Sequence, residues 1–241
     1  MASTPHFTLS RCTPNDMQEL TQLYYNCFSP AIRLALMGCS TPLKPNELQR
    51  LTDLMIQTMS ESPHDIWIGI KDSQTGRFIA ASNWKVHLEG SNAKRQAVEA
   101  PPWLEGEGYK SAERLMGVLH DMRQKPMSGP LIRTSALLIV DMLHWNLGVL
   151  IISADLNICF TDANYRRRGA GGMMLQWGCD LADQLFIPGY IEATTDGNFL
   201  YNTFGFYELE SIDSGIGEEG VTMRRDARSQ PILGGRAAVL K

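Results

Sequence analysis

The strongest constraint on this chain is the stretch YRRRGAGGMMLQ (Tyr165–Gln176), where three arginines run into a glycine-rich turn and then an apolar, helix-like run. A strand, a glycine-rich turn and a helix make a natural anion site. The first amide N–H groups of a helix lack internal partners, and its dipole adds positive potential there. Glycines let an oxyanion reach the backbone because no Cβ intrudes. Arginines add charge-assisted, often bidentate bonds. The stretch therefore suggests a phosphate or pyrophosphate site. A solvated basic turn with a glycine at its bend is the competing reading. Two other phosphate loops fit less well. The P-loop requires a Gly-Lys pair that the stretch lacks. A dinucleotide fingerprint starting at Gly169 and Gly171 meets Met174 where its third glycine belongs.

The surrounding chain reads as alternating strands and helices. Phe7–Thr13 alternates apolar and polar residues as a strand does. Pro14-Asn15-Asp16 then opens a helix whose apolar positions Met17, Leu20, Leu23, Tyr24 and Phe28 recur at helical spacing. A second helix is expected over Asn46–Met59. DIWIGIKDSQTGRFIAASNWKVH is a hairpin around DSQTG. The polar run Glu89–Gly108, with Pro101-Pro102, reads as a surface loop, and YKSAERLMGVLHDMRQKPM as an amphipathic helix. After the arginine–glycine loop come a helix ending near Pro188-Gly189, the strand GYIEATT and a short helix, GNFLYNTF, stopped by Gly205. FYELESI and EGVTMRRD read as the last strands. No repeat or composition shift divides the chain, so one domain is expected over residues 1–226, with a loose tail over 227–241.

Composition removes several classes. The net charge of −4 argues against general nucleic-acid binding, which favours a basic domain. Five cysteines (Cys12, Cys27, Cys39, Cys159, Cys179) form no C-x-x-C pair, which suits reduced thiols and a cytoplasmic location. The N-terminus shows no secretory signal. The five histidines lack ligand-like spacing, so no metal site is expected. The apolar run Ser135–Ser153 raises a membrane question, but Asp141, His144 and Asn146 interrupt it. A charged residue at a helix centre costs about 2.5–3.5 kcal/mol on insertion scales, so two buried strands explain the run better than a membrane span.

Arg166-Arg167-Arg168-Gly169-Ala170-Gly171 resembles the [Q/R]-x-x-G-x-[G/A] signature of the GNAT superfamily of acyl-CoA-dependent N-acetyltransferases. Leu200–Phe206 (LYNTFGF) resembles that family's LY…GF element, and the order of elements is similar from Phe7 to Asp226. The likeness looks closest to fungal members. It implies an α/β fold: a mixed, mostly antiparallel, V-shaped sheet flanked by helices. It also implies an enzyme that moves an acetyl group from acetyl-CoA to a primary amine of a small molecule or peptide by direct attack. A non-catalytic acyl-CoA-binding module and an O-acyltransferase are the alternatives.

The resemblance assigns roles residue by residue. The backbone of Arg166, Arg167, Arg168, Gly169, Ala170 and Gly171 would cradle the CoA pyrophosphate, with Gly172 continuing into the helix. Cys159, Phe160 and Thr161, on the preceding strand, would hold the acetyl and pantetheine portion through main-chain groups, in a slot where that strand splays from its neighbour. A backbone N–H there would stabilise the oxyanion. Tyr201 would protonate the departing thiolate. Glu192 is the candidate base. Asp155 and Asn157, on the strand before it, leave a water-relayed route open. Cys159 as an acyl-carrying nucleophile lacks an identifiable histidine partner.

The chain departs from the family pattern ahead of the loop. His144–Ile151 resembles the usual strand, yet about a dozen residues separate it from Tyr165, and Asp162-Ala163 replaces the usual His-Pro. An anion site needs a strand entering its turn directly, so DLNICFTD is the expected cofactor strand. Ser29–Pro42 and Pro101–Tyr109 are candidate acceptor walls, with Trp103 and Tyr109 as either acceptor contacts or packing residues.

Overall fold

The computed structural model describes residues 7–39, 41–87, 103–124, 153–194, 197–214 and 219–228. Seven strands form one sheet in the order β1-β2-β3-β4-β5-β7-β6. They are β1 (Phe7–Arg11), β2 (Asp65–Asp72), β3 (Phe78–His87), β4 (Ser153–Thr161), β5 (Gly189–Thr194), β6 (Tyr207–Asp213) and β7 (Glu219–Arg225). Only β4 with β5 is parallel; the other described pairs are antiparallel. The helices are α1 (Met17–Cys27), α2 (Pro30–Met37), α3 (Pro45–Glu61), α4 (Gly106–Gln124), α5 (Ala170–Leu185) and α6 (Asn198–Thr203). This is the expected mixed, mostly antiparallel sheet flanked by helices.

Local chemistry explains the helix boundaries. Before α1, the Thr13 N–H donates to Asp16 Oδ2 at 2.8 Å across a 3-10 turn (Pro14–Asp16). Ser29 caps α2, with Pro30 at its first position and Gly38 ending it in the left-handed region at φ 62°. At α3, Pro45 follows the cap and Glu47 accepts from the Lys44 N–H at 3.1 Å. Helix α4 starts at Gly106, inside the polar run expected as a loop. The Tyr109 N–H reaches the Glu105 carbonyl at 3.4 Å, closing a turn ahead of the apolar positions Ala112, Leu115 and Met116 that signal the helix in sequence. The expected elements over 135–151 and most of the Glu89–Gly108 loop lie outside the described residues.

Each face of the sheet has its own core. Ile68, Ile70, Trp84, Leu156, Ile191 and Met223 pack with Met174, Leu175 and Cys179 of α5. Trp67, Phe78, Ala81 and Phe160 pack on the opposite face with Met17, Leu20 and Tyr24 of α1 and Leu51 and Met55 of α3. Among the described residues Trp84 is the largest fully buried side chain, and it lies against Gly178, where a Cβ would run into the indole.

Candidate active site

The strand that enters the arginine loop is β4, Ser153–Thr161, followed by a 3-10 turn (Ala163–Tyr165). This is the segment expected from DLNICFTD. β4 pairs with β5 at only three positions, Ala154 with Gly189, Asp155 with Tyr190 and Leu156 with Ile191. Beyond Leu156 the two strands part. β4 continues along β3 to Thr161, and β5 continues along β7 to Thr194. The opening between them is the slot of a V-shaped sheet.

A β-bulge lies where the strands part. Asn83 pairs with Ile158 and Trp84 with Leu156, which leaves Asn157 as the extra residue of β4. The bulge resets the alternation: Leu156 packs on the α5 face, whereas Phe160 packs on the α1 face. It also sets which main-chain groups face the slot. The Asp162 N–H donates to the Ile79 carbonyl at 2.8 Å, so Asp162 and, by alternation, Phe160 turn their backbone groups to β3. Cys159 and Thr161 therefore turn theirs outward, to the slot. Of the three expected backbone ligands, these two have the right orientation and Phe160 does not: it buries its ring against Tyr24, with centroids 5.3 Å apart.

The loop bends through two left-handed residues, Arg167 at φ 61° and Gly169 at φ 97°. Gly169 is the N-cap of α5, no side chain caps the helix, and its first turn carries no acidic residue. The N–H groups of Ala170, Gly171 and Gly172 thus open onto the end of β4. The arginines fan out from this point. Arg166 Nε donates to the Thr161 carbonyl at 3.3 Å, Arg167 lies 6.0 Å from the Phe199 ring, and Arg168 lies 5.2 Å from the Tyr165 ring. All three are exposed, and among the described residues none pairs with a carboxylate. At Gly171 the helix comes close to α6: a Cβ there would lie 2.9 Å from the end of the Leu200 side chain.

Tyr201, on α6, is half-buried and packs against the α5-side core, its ring 6.3 Å from Phe206. Gly197 admits the ring: a Cβ at that position would come 2.6 Å from Tyr201 Cε2. Burial of the hydroxyl and, secondarily, the neighbouring Cys159 thiol push the phenol well above its ordinary range. It is therefore protonated throughout neutral pH. Burial pushes the Cys159 thiol up to about 12, which keeps it a poor nucleophile. All five cysteines are free thiols.

Glu192 lies on β5 one residue past the last pairing with β4, opposite Thr222 of β7. Its neighbours Ile191 and Ala193 point to the α5-side core, so Glu192 belongs to the other face. That face carries a largely buried polar set, of which the sequence singles out Asn157 alone, as part of a water-relayed route. Asn83 Nδ2 donates to Asp65 Oδ1, Asn157 Nδ2 donates to Asn83 Oδ1 at 3.0 Å, and Lys85 Nζ lies 3.7 Å from Asp65 Oδ2. Its only sequence signal is polar residues inside otherwise apolar strands, at positions easily read as solvent-facing. The Ser153 hydroxyl donates to Asp155 Oδ1 at 2.8 Å on the same strand.

The acceptor walls expected on α2 and ahead of α4 come together, with Trp103 Nε1 donating to the Gly38 carbonyl at 2.9 Å. Trp103, half-buried, is held by this bond, and Tyr109 is 41% exposed. A cleft of about 630 Å³ lies elsewhere, between α1, the β2–β3 turn and Asp162–Tyr165, and none of the expected cofactor residues lines it. Among the described residues no group of His, Cys, Asp and Glu is arranged to hold a metal ion. None of the described helices is long and apolar enough to cross a membrane.

Known proteins share this architecture. Among solved structures, a mosquito arylalkylamine N-acetyltransferase like 5b matches with a TM-score of 0.57 at 11% identity, over 92% of this chain and 100% of that one. A structure described as histone acetyltransferase HPA2 and related acetyltransferase, from Corynebacterium glutamicum, matches at 0.56 and 18% identity, over 94% and 99%. Chaetomium thermophilum Naa20, in complex with a bisubstrate analogue, matches at 0.50 and 12% identity, over 91% and 86%. The splayed sheet and these likenesses define a protein of the GNAT fold. Among curated proteins, the probable acyltransferase SID5 of Ajellomyces capsulatus is 24% identical over 126 residues, 52% of this chain and 71% of that protein. No protein-family model matches the chain.

Proposed function

We propose that the chain is an acyl-CoA-dependent N-acetyltransferase acting on a primary amine of a small molecule or peptide. The observation that carries this reading is the parting of β4 and β5 directly ahead of an uncapped helix N-terminus with three exposed arginines that, among the described residues, pair with no carboxylate. Acetyl-CoA would place its pyrophosphate on the amides of Ala170–Gly172 and its pantetheine arm along the outward main-chain groups of Cys159 and Thr161. The fit is chemical: an anion site joins a slot edged by hydrogen-bonding backbone. The acyltransferase likeness of SID5 supports the same reaction class.

In the reaction the amine lone pair forms the new C–N bond to the thioester carbon. The carbonyl oxygen gains charge and is held by an outward N–H of the β4 backbone, an interaction worth about 2.7–4 kcal/mol in oxyanion holes. Collapse breaks the C–S bond. The sulfur leaves toward Tyr201, which hydrogen-bonds and protonates it and recovers its own proton from solvent, while the amine proton passes to Glu192 or to water beside it and is released. The products are an acetamide and free CoA thiol. The raised pKa of Cys159 favours this direct transfer over an acyl-enzyme. The unpaired thiols suit a reducing, cytoplasmic setting.

The test is incubation with acetyl-CoA and a panel of arylalkylamines, aliphatic amines and peptides, reading thiol release and acetylated product. The reading requires a product that survives hydroxylamine, as amides do. A hydroxylamine-labile product would make the protein an O-acyltransferase, and CoA binding without transfer to any acceptor would make it a binding module.

A further inference from the structure

Asn157 and Asp65 have no place in the mechanism above, yet they are joined by a directional chain. Asp65 is 6% exposed and Asn83 is 1% exposed, so neither can turn to water. Burial raises the Asp65 pKa, opposed by the Lys85 charge and the hydrogen bonds from Asn83 and Lys85, and as a carboxylate beside Lys85 the group only accepts hydrogen bonds. It therefore fixes the NH2 end of the Asn83 carboxamide toward itself. Asn83 Oδ1 must then face Asn157, and that oxygen takes the Asn157 NH2 at 3.0 Å. One carboxylate thus sets the orientation of two amides in series. The last atom of the series is Asn157 Oδ1, an acceptor with no donor among the described residues.

The placement of that oxygen is specific. Asn157 is the bulged residue where β4 leaves β5. Its bond to Asn83 puts it on the face away from α5, the same face as Glu192, whose position on β5 matches it across the opening. We propose that Asn157 Oδ1 holds the acceptor nitrogen, with Asp65 as a positioning residue acting through Asn83. This rests on the acetyl-transfer reading. A primary amine has two N–H groups when it attacks: one proton is lost to the base, and the other hydrogen-bonds Asn157 before and after the bond forms. A secondary amine has no second N–H to offer, so the geometry selects primary amines.

The test uses two CoA thioethers that mimic the joined substrates, one ending in CH2–CO–NH–CH3 and the other in CH2–CO–O–CH3, titrated calorimetrically. Wild-type protein binds the amide about ten-fold more tightly than the ester, the scale of one hydrogen bond at a polar site. In Asn157→Ala and Asp65→Asn the gap falls below about two-fold, while affinity for CoA itself is retained. In Asp65→Asn the introduced carboxamide accepts from Lys85 and offers its NH2 to Asn83, which reverses the chain. That loss separates positioning from mere support of the fold, because CoA affinity is the control for folding. Equal binding of amide and ester to wild type, or a gap that survives Asn157→Ala, overturns the proposal with acetyl-CoA binding intact. A gap lost in Asn157→Ala but kept in Asp65→Asn overturns the role of Asp65. Failure of wild type to bind CoA or either conjugate removes the acetyl-transfer reading as well.

Discussion

Asn157 and Glu192 occupy matching positions one residue past the last rung that joins β4 to β5, Leu156 with Ile191. The sheet opens at that point. On one face lie these two polar residues, and on the other lies α6 with Tyr201. In the proposed reaction the first face would be the acceptor side and the second the side where the thiolate leaves.

Tyr201→Phe removes one oxygen and leaves the ring against Phe206. Turnover should fall roughly 100-fold with CoA affinity unchanged within about two-fold, as for loss of a general acid. Steady-state kinetics beside a CoA titration checks this. Unchanged turnover removes Tyr201 from the mechanism.

The anion loop should respond to charge and little to shape. In Arg168→Glu with Gly169→Glu, both positions are exposed and a Cβ on Gly169 meets nothing within 4 Å, but φ is +97°. The strain costs about 1–2 kcal/mol, while reversed charge at the helix N-terminus should lower CoA affinity roughly 100-fold. Titration and thermal unfolding of the same sample separate the two effects.

How much of this was legible in sequence differs by element. The Arg–Gly loop, the hairpin and the core stripe of α1 follow from local chemistry, and Met17 and Leu20 are fully buried as their spacing requires. β4 shows the limit. In L-N-I-C-F, strict alternation puts Leu156, Ile158 and Phe160 on one face, whereas the bulge at Asn157 sends Leu156 to the α5 side and Phe160 to the α1 side. Nothing in five residues announces a bulge, because it is set by register with β3. The Asp65–Asn83–Asn157 chain was hidden likewise: it spans three strands, so Asn157 stands out in sequence only as part of a water relay, and Asp65 and Asn83 alone read as solvent-facing.

Gly178→Ala should destabilise the protein by about 1–3 kcal/mol, because overpacking forces a displacement and Trp84 fills the space a Cβ would need. Denaturant unfolding monitored by tryptophan fluorescence measures it. An unchanged midpoint would mean that α5 does not seat on Trp84 as described.

Arg225 ties α5, α6 and β7 together. Its guanidinium meets Asp183 at 2.8 and 2.6 Å, and its Nε donates to the Phe204 carbonyl at 2.9 Å. Asp183→Asn should cost about 3 kcal/mol, since Arg225 is buried and would lose its counter-charge. Partial burial alone would raise the Asp183 pKa, but the Arg225 hydrogen bonds, the Arg228 N–H and both charges outweigh it and hold the carboxyl below its ordinary value. A depressed carboxylate stabilises the fold above its unfolded pKa of about 3.9 and loses that contribution as pH falls through the lower folded value. Wild-type stability should therefore drop below about pH 4 more steeply than that of the variant, as acid titration of the unfolding midpoint would show.

We propose that acetyl-CoA enters the slot beyond Leu156 and Ile191. The most direct test is calorimetric titration of the purified protein with acetyl-CoA. One site per chain is expected, with a Kd on the order of 1–100 µM, the range of common substrate affinities. Saturating acetyl-CoA with no heat and no shift in unfolding temperature would rule this out, leaving a GNAT fold whose slot and loop do not bind the cofactor.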